Sequence, residues 1–345
     1  MSKMVMVEEL APGDVLADEV LSMNGRVLLG RAITLTPRHL TLLKSWDIQS
    51  VFIEGEENAA AAEAAVEAPT AEAAGIDAFR EDYQQIVDDL EESFTIIQQH
   101  QLVPVTKMTE NAMRIDASLA KNLESLGYLL TDSGDSSKLI SGHSVRVAFF
   151  ADLIARQLHW QENDIQGVTL AGLMHDVGNL LVKPTMLLYK EAHLAETASL
   201  LQRARMLPAP VIMGIVQHRE YINGTGFPNK TQGSQIHPYA KVIAIADAFY
   251  NMAYNLQGVN PFTTMDMLKH EMYVKFDPLI CETFLSSMKD HLMLSRVLLS
   301  DNQTAEVVFF NKMNYQDPVL KTADNKIINL AERRDLKIVR LIAPD

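Results

Sequence analysis

Six side chains that can bind divalent metal ions are spread over the second half of this 345-residue sequence: His143, His175, Asp176, His193, His218 and Asp247. Imidazole nitrogen and carboxylate oxygen together suit iron, manganese or zinc. His175 and Asp176 are adjacent and follow an apolar run, where burial is unfavourable unless a positive charge or a partner lies between them. Taken alone, this pair is equally consistent with a hydrogen-bonded pair in a core.

The spacing of apolar residues indicates which elements carry these six side chains. His143 shares the apolar face of one helix with Val147 and Phe150, which predicts that the histidine points inward. His218 shares a helix face with Ile215 in the same way. The other predicted helices begin near Asn163 for His175–Asp176 and span residues 187–206 for His193 and 236–256 for Asp247.

Six polar groups that converge in one helical core satisfy each other poorly without a cation. Helical bundles commonly build dinuclear carboxylate–histidine centres in this way. Asp176 is the expected bridging ligand, and a hydroxide that it helps to hold between two metals is the expected nucleophile. The residues therefore predict a dinuclear metallohydrolase that acts on a phosphate ester.

The pattern along the chain predicts a mainly α protein with four segments. Residues 1–54 read as a small α+β module, with a hairpin signal at Asn24-Gly25 and a short helix opened by Thr36-Pro37. Residues 55–75 are an Ala/Glu-rich linker. Residues 76–293 form a helical domain, and residues 294–345 form a β-rich appendage of five short strands that packs on it or pairs with the N-terminal strands.

Composition narrows the classes of partner. The formal net charge of −14 argues against binding to nucleic acid polymers or anionic membranes. The sequence contains no run of 18 apolar residues, so it predicts no membrane span. Cys281 is the single cysteine, and the first ten residues do not resemble a secretion signal, so we expect a cytoplasmic protein.

The ordered set of motifs resembles the HD superfamily of metal-dependent phosphohydrolases. The resemblance rests on His143, the pair His175-Asp176, and Asp247 within Ala246-Asp247-Ala248. The loop GTGFP at 224–228 resembles the signature loop of the HD-GYP branch, with GFP in place of GYP, and HLAETASLL from His193 is similar to a further histidine segment of that branch. The likeness covers roughly residues 136–290 and implies an HD-type helical bundle.

The resemblance implies roles for individual residues. It assigns all six His and Asp side chains to two divalent metals, iron or manganese. It places Asn179, Asn223, Gly226 and Phe227 near the substrate. Two interpretations stay open for Arg146, Lys183 and Arg219: phosphate contacts that compensate for a missing lysine, or solvated surface charges.

Several positions depart from the pattern of the branch. Leu139 and Arg219 stand where a third metal would need Glu and His, so two metals are expected rather than three. Asn179 replaces the usual lysine that meets the substrate phosphate, and Asn223, Phe227 and Tyr250 are further departures.

The activity that the resemblance implies is hydrolysis of cyclic di-GMP to pGpG or GMP. Two alternatives remain open: a catalytically degenerate module that acts as a cyclic-dinucleotide receptor or a protein-interaction scaffold, and hydrolysis of a related cyclic dinucleotide or phosphate ester. Residues 1–54 are expected to bind signalling-protein partners, and the sequence is compatible with a homodimer.

Overall fold

The computed structural model describes residues 2–21, 27–29, 33, 35, 37–45, 48–54, 69–121, 126–131, 139–182, 192–204, 206–255, 260–311 and 314–342. The chain divides into two compact units, Met1–Glu72 and Ala73–Asp345. The six predicted metal ligands all belong to the second unit.

The first unit is a small α+β module. β1 (Ser2–Met6) pairs antiparallel with β4 (Ser50–Glu54), and β2 (Val20–Leu21) pairs antiparallel with β3 (Val27–Leu29). α1 (Pro37–Ser45) follows β3, and Leu16, Leu35 and Leu43 are at the centre of the unit's own apolar core. Asn24-Gly25 and Thr36 lie outside the described residues, but the strands on either side of that predicted turn do pair.

The helices of the second unit confirm the predicted mainly α class. Their bounds are α2 (Pro69–His100), α3 (Val105–Lys121), α4 (Leu126–Thr131), α5 (Leu139–Gln157), α6 (Glu162–Met174), α7 (Ala192–Arg203), α8 (Ala209–Gln217), α9 (Pro238–Asn255), α10 (Pro261–Glu271) and α11 (Pro278–Leu292). α2 begins inside the predicted linker, because its Ala- and Glu-rich start favours a helix. Residues 55–68 of that linker lie outside the described residues.

Close packing of α5 on α6 brings two of the predicted ligands together. A Cβ at Gly172 of α6 would lie 2.9 Å from the Cα of Ala148 in α5, so only glycine allows this approach. Farther along α5, Arg156 donates to Asp152 on its own helix and to Asp116 of α3. Thr169 of α6 completes the network by donating to Asp152 over 2.8 Å. α3, α5 and α6 are therefore joined by one buried polar network.

The C-terminal segment forms the predicted β-rich appendage. Its five strands are β5 (Arg296–Leu299), β6 (Thr304–Asn311), β7 (Asn314–Thr322), β8 (Ile327–Asn329) and β9 (Ile338–Leu341), in the antiparallel order β8-β7-β6-β5-β9. Asp266 of α10 accepts hydrogen bonds from the backbone N–H groups of Tyr315 and Gln316 in β7. Asn260, the N-cap of α10, donates to the carbonyl of Ile338 in β9. The sheet thus packs on α10, and its strands pair with each other.

Within the described part of the chain, no helix is both long enough and apolar enough to cross a bilayer.

Candidate metal centre

Two of the predicted histidine ligands lie immediately after helices, which corrects their predicted placement within them. His175 is the C-cap of α6, and His218 is the C-cap of α8. Each donates its Nδ1–H to the carbonyl oxygen three residues earlier, of Gly172 and Ile215 respectively, over 2.7 Å. These bonds satisfy carbonyl groups that a helix end leaves without a backbone partner. A carbonyl oxygen only accepts, so Nε2 of both histidines holds the free lone pair.

The structure brings all six predicted ligands together. His143 lies in α5, Asp247 in α9, and His193 is the second residue of α7. Four ligand atoms form what we call the His143 group: Nε2 of His143 and His175, Oδ2 of Asp176 and Oδ1 of Asp247. The two imidazole nitrogens are 3.0 Å apart, and the nitrogen–oxygen distances in the group run from 3.2 to 3.6 Å.

The other oxygen of Asp176 belongs to a second set of ligand atoms, the His218 group. Asp176 Oδ1 lies 3.6 Å from Nε2 of His193 and 3.5 Å from Nε2 of His218. Neither Asp176 Oδ1 nor His218 Nε2 has a hydrogen-bond partner among the described residues, although both are buried. Both atoms are hydrogen-bond acceptors, so a cation between them would remove their mutual repulsion.

These distances fit divalent metal ions. Two ligand atoms about 2.1 Å from one ion are about 3.0 Å apart across a right angle and about 3.4 Å apart across a tetrahedral angle. In two sets of three residues, the ligand atoms all lie within 4.8 Å of one another. The first set is His143, His175 and Asp247, and the second is His175, Asp176 and His218. The distances would therefore suit two ions, with one oxygen of Asp176 in each ligand group.

A glycine allows His193 to reach Asp176. Gly178 lies in a 3-10 turn, Val177–Leu180, that directly follows Asp176. A Cβ at this position would lie 1.9 Å from the carbonyl oxygen of His193 and 2.3 Å from Oγ1 of Thr197. Any larger residue would push α7, and with it His193, away from the shared carboxylate.

The two groups differ in their affinity for protons in the absence of metal. Burial lowers the pKa of His218 to about 4, so this imidazole is neutral at pH 7. Burial alone would lower the pKa of His143 as well, but the carboxylates of Asp176 and Asp247 outweigh it and raise the pKa to about 9. The metal-free His143 group therefore binds one proton at pH 7, at the position that an ion would occupy.

Metal binding to the His143 group should release that proton. Between about pH 7 and pH 9 we expect the affinity of this group for Mn²⁺ to rise about tenfold per pH unit, because proton and metal compete for Nε2 of His143. Calorimetric titration in two buffers of different ionisation heat, at pH 7, measures the protons released. About one proton is expected for the ion bound at this group, and the His143→Asn variant should lose that release. An affinity independent of pH between 6.5 and 8.5 would contradict the assignment.

The predicted substrate-binding residues are less closely grouped than the ligands. The Arg146 side chain is buried, 1% exposed, with its guanidinium over the rings of Tyr83 in α2 and Tyr254 in α9. Arg146 therefore packs between two helices, and its contact with substrate stays a prediction. Asn179 is exposed, and its backbone N–H donates to the carbonyl of Asp176. Lys183 lies outside the described residues.

Three predicted substrate residues lie in the GTGFP loop and its flank. Asn223 is exposed, and its Oδ1 accepts hydrogen bonds from the backbone and hydroxyl groups of Thr225. Phe227 is half-buried, and its backbone N–H donates to the carbonyl of Arg219. Gly226 is buried against residues 219–221, where a Cβ would meet backbone atoms at 2.4 to 2.5 Å. Its role in this structure is to allow that close contact.

The sequence reasoning missed the residue that anchors this loop. Glu220 is 2% exposed, and its carboxylate accepts hydrogen bonds from the backbone N–H groups of Asn229 and Thr231 at 2.7 and 3.0 Å. An acidic residue at the start of a loop rich in Gly, Asn and Thr is a signal for such an anchor, because these loops hold many unpaired N–H groups. Glu220 thereby fixes the loop beside His218 and Arg219.

Comparison with known proteins identifies one matched segment that contains all six predicted ligands. Residues 134–280 match the family model described as HD domain. This segment, somewhat less than half of the chain, is therefore similar to the HD domain family.

Two curated relatives show how far the similarity extends. The 3'3'-cGAMP-specific phosphodiesterase 3 of Vibrio cholerae is 36% identical over 124 residues, which are 33% of this chain and 27% of that protein. The cyclic di-GMP phosphodiesterase PA4108 of Pseudomonas aeruginosa is 26% identical over 160 residues, 42% of this chain and 38% of that protein. The chain thus spans between about a quarter and two fifths of the length of these relatives.

A solved structure shares the fold of most of the chain. Bd1817, described as a HDG"Y"P protein from Bdellovibrio bacteriovorus, matches with a TM-score of 0.51 and 20% sequence identity. The match covers 84% of this chain and 99% of that protein. At this identity the likeness supports the fold alone.

Proposed function

We propose that this protein is a metal-dependent phosphodiesterase that hydrolyses cyclic di-GMP to pGpG and GMP. The observation that carries the proposal is the shared carboxylate, with one oxygen of Asp176 in the His143 group and the other in the His218 group. Two relatives are named as cyclic di-GMP phosphodiesterases, and their matches cover 42% and 55% of this chain. The proposal assigns the protein to bacterial cytoplasmic signalling.

The six ligands would hold two divalent ions, for which we propose iron or manganese because the donors are imidazole and carboxylate. Bound ions would lower the pKa of a water molecule and neutralise charge on a phosphoryl oxygen. The protein's own contribution is orientation. The Nδ1–H bonds of His175 and His218 fix both rings with their Nε2 atoms toward Asp176, and buried Asp247 holds Oδ1 toward His143.

The surrounding residues would shape the substrate side of the site. Arg219 places a guanidinium 2.7 Å from Oδ2 of Asp247, at a partly exposed position from which it could meet a phosphate. The GTGFP loop, held by Glu220, presents the half-buried Phe227 ring, whose flat face suits a guanine base. Asn179 supplies a hydrogen-bond donor beside the ligands but no charge.

The test is turnover by purified protein loaded with iron or manganese under anaerobic conditions. Chromatography should detect pGpG or GMP from cyclic di-GMP, and EDTA should abolish the reaction. The His218→Ala variant should lose most of the activity, while the matched variant His270→Ala, at an exposed helix position, should retain it. Loaded protein that leaves cyclic di-GMP intact over hours would refute the proposal. Parallel assays with 3'3'-cGAMP decide between substrates, because three relatives are named as specific for it.

A second candidate function is a cyclic-dinucleotide receptor or protein scaffold without turnover. The observation that favours it is Asn179, an exposed uncharged side chain where the branch has lysine. If phosphate contact at this position limits catalysis, Asn179→Lys should raise kcat/KM for cyclic di-GMP about tenfold, since a hydrogen bond to a charged group contributes about 1.5 to 3 kcal/mol. The control is Gln84→Lys on the exposed face of α2. If the wild type and the Asn179→Lys variant both bind cyclic di-GMP tightly and neither forms product, the receptor function is supported instead.

A further inference from the structure

Arg219 lies beside both carboxylate ligands. The inner oxygen of Asp247, Oδ1, faces His143 and His175, while its outer oxygen, Oδ2, accepts from Nη1 of Arg219 at 2.7 Å. Nη2 of the same guanidinium lies 3.6 Å from Oδ2 of Asp176. Asp247 therefore keeps Oδ1 for the histidines, whereas Oδ2 of Asp176 faces both Arg219 and the His143 group.

The charge of this guanidinium is permanent at any pH at which the protein is folded. It cannot coordinate a metal, since it offers donors and no lone pair. Its side chain is 25% exposed, so it lies at the margin of the site, where a ligand from solvent can still approach. It therefore adds one fixed positive charge beside two ligand groups that would each hold an ion.

We propose that Arg219 is the fixed third cation of this metal centre. The centre binds two metal ions, and the guanidinium, which contacts Asp176 and Asp247, takes the place of a third ion. This inference rests on the proposed metal site and concerns how that site balances its charge. Arg219 holds the carboxylates of Asp176 and Asp247 in position and adds positive charge where a phosphodiester would approach.

This role predicts opposite effects on two measured quantities. Removal of the positive charge in Arg219→Gln should tighten Mn²⁺ binding about tenfold, because the guanidinium repels ions held by the same carboxylates. The same variant should hydrolyse cyclic di-GMP at least about tenfold more slowly, because the developing negative charge loses a partner. Arg219→Lys keeps the charge and should retain the Mn²⁺ affinity within about threefold and recover part of the turnover.

The experiment is an Mn²⁺ titration of the chelator-treated full chain, with elemental analysis of the loaded protein for the number of ions bound. Two ions in the wild type and tighter binding in Arg219→Gln support the inference. A purely structural role for Arg219 would instead weaken metal binding and turnover together, and this result would overturn it. So would three ions in the wild type. Arg203→Gln, at an exposed position in α7, is the matched control and should change neither quantity.

The two proposals fail in different ways. If the wild type binds two ions but leaves cyclic di-GMP intact, the proposed function fails, while the titration still decides the role of Arg219. If the wild type turns over cyclic di-GMP and Arg219→Gln binds metal more weakly, only the inference about Arg219 fails. A wild type that binds no divalent ion overturns both.

Discussion

Replacement of Asp176 by Asn should remove both ions and lower the hydrolysis of cyclic di-GMP by about a thousandfold or more. Asp176 offers one oxygen to each ligand group, so a neutral amide at this position weakens both sites together. In the proposed reaction, activation of water and stabilisation of phosphoryl charge would both depend on the ions, and each such effect contributes several kcal/mol in metal-dependent catalysis. Elemental analysis and the chromatographic assay measure the two effects on the same preparation.

Two comparisons make this prediction specific. His218→Ala should reduce the metal content by about one ion, because it removes a ligand from a single group. Asp335→Asn, which breaks an exposed ion pair with Arg333 in the C-terminal sheet region, should leave metal content and turnover unchanged. If Asp176→Asn retained one full equivalent of metal, the shared role of this carboxylate would be disproved.

Replacement of Arg156 by Met should lower the free energy of unfolding by about 3 to 5 kcal/mol, the usual effect of removing one partner from a buried ion pair. Arg156 is the only described cation that pairs with Asp152 and Asp116, whose side chains are 0% and 6% exposed. Met fills the volume of the arginine stem but leaves both carboxyl groups without their positive partner. Urea unfolding of the metal-free protein measures the change, with Arg333→Met, in an exposed pair, as the control.

The size of this effect should depend on pH. Burial raises the pKa of Asp152 to about 7, although Arg156 acts in the opposite direction. A carboxyl whose pKa is higher in the folded state than in the unfolded state binds more protons when folded, so its contribution to stability declines as the pH rises from about 4 to about 7. Without Arg156 that pKa rises further, and the decline continues to higher pH. We therefore expect the destabilisation by Arg156→Met to be larger at pH 8 than at pH 5, and an equal effect at both would contradict this account.

The sequence alone predicts the helices and the composition of the site well, because both depend on local patterns. An apolar face with one histidine, as around His143, identifies an inward-facing histidine from spacing alone. The five C-terminal strands follow from short alternating runs between Asp and Asn turns. The bounds of α2 and the C-cap positions of His175 and His218 differ from prediction, because helix ends depend on individual hydrogen bonds more than on periodicity.

Long charged side chains are the least predictable part of the site. Arg146 reads from the sequence as a surface charge or a phosphate contact, yet it packs between Tyr83 and Tyr254, rings from helices far apart in the chain. Arg219 reads as a lost ligand, yet its guanidinium lies on the carboxylates. Both outcomes depend on side-chain direction and on tertiary neighbours, which residue spacing does not encode.

The division of Asp176 between the two ligand groups has a consequence for how the protein responds to its surroundings. If two ions bind, the first would order a carboxylate that the second also needs. The two binding equilibria would then be coupled, and by thermodynamic reciprocity each ion would alter the affinity for the other by the same factor. If both ions are required, the active fraction follows the square of the free metal concentration when metal is scarce. Under the proposed function, output from this centre would then fall steeply when the metal is scarce, which would make metal supply a second input to the reaction.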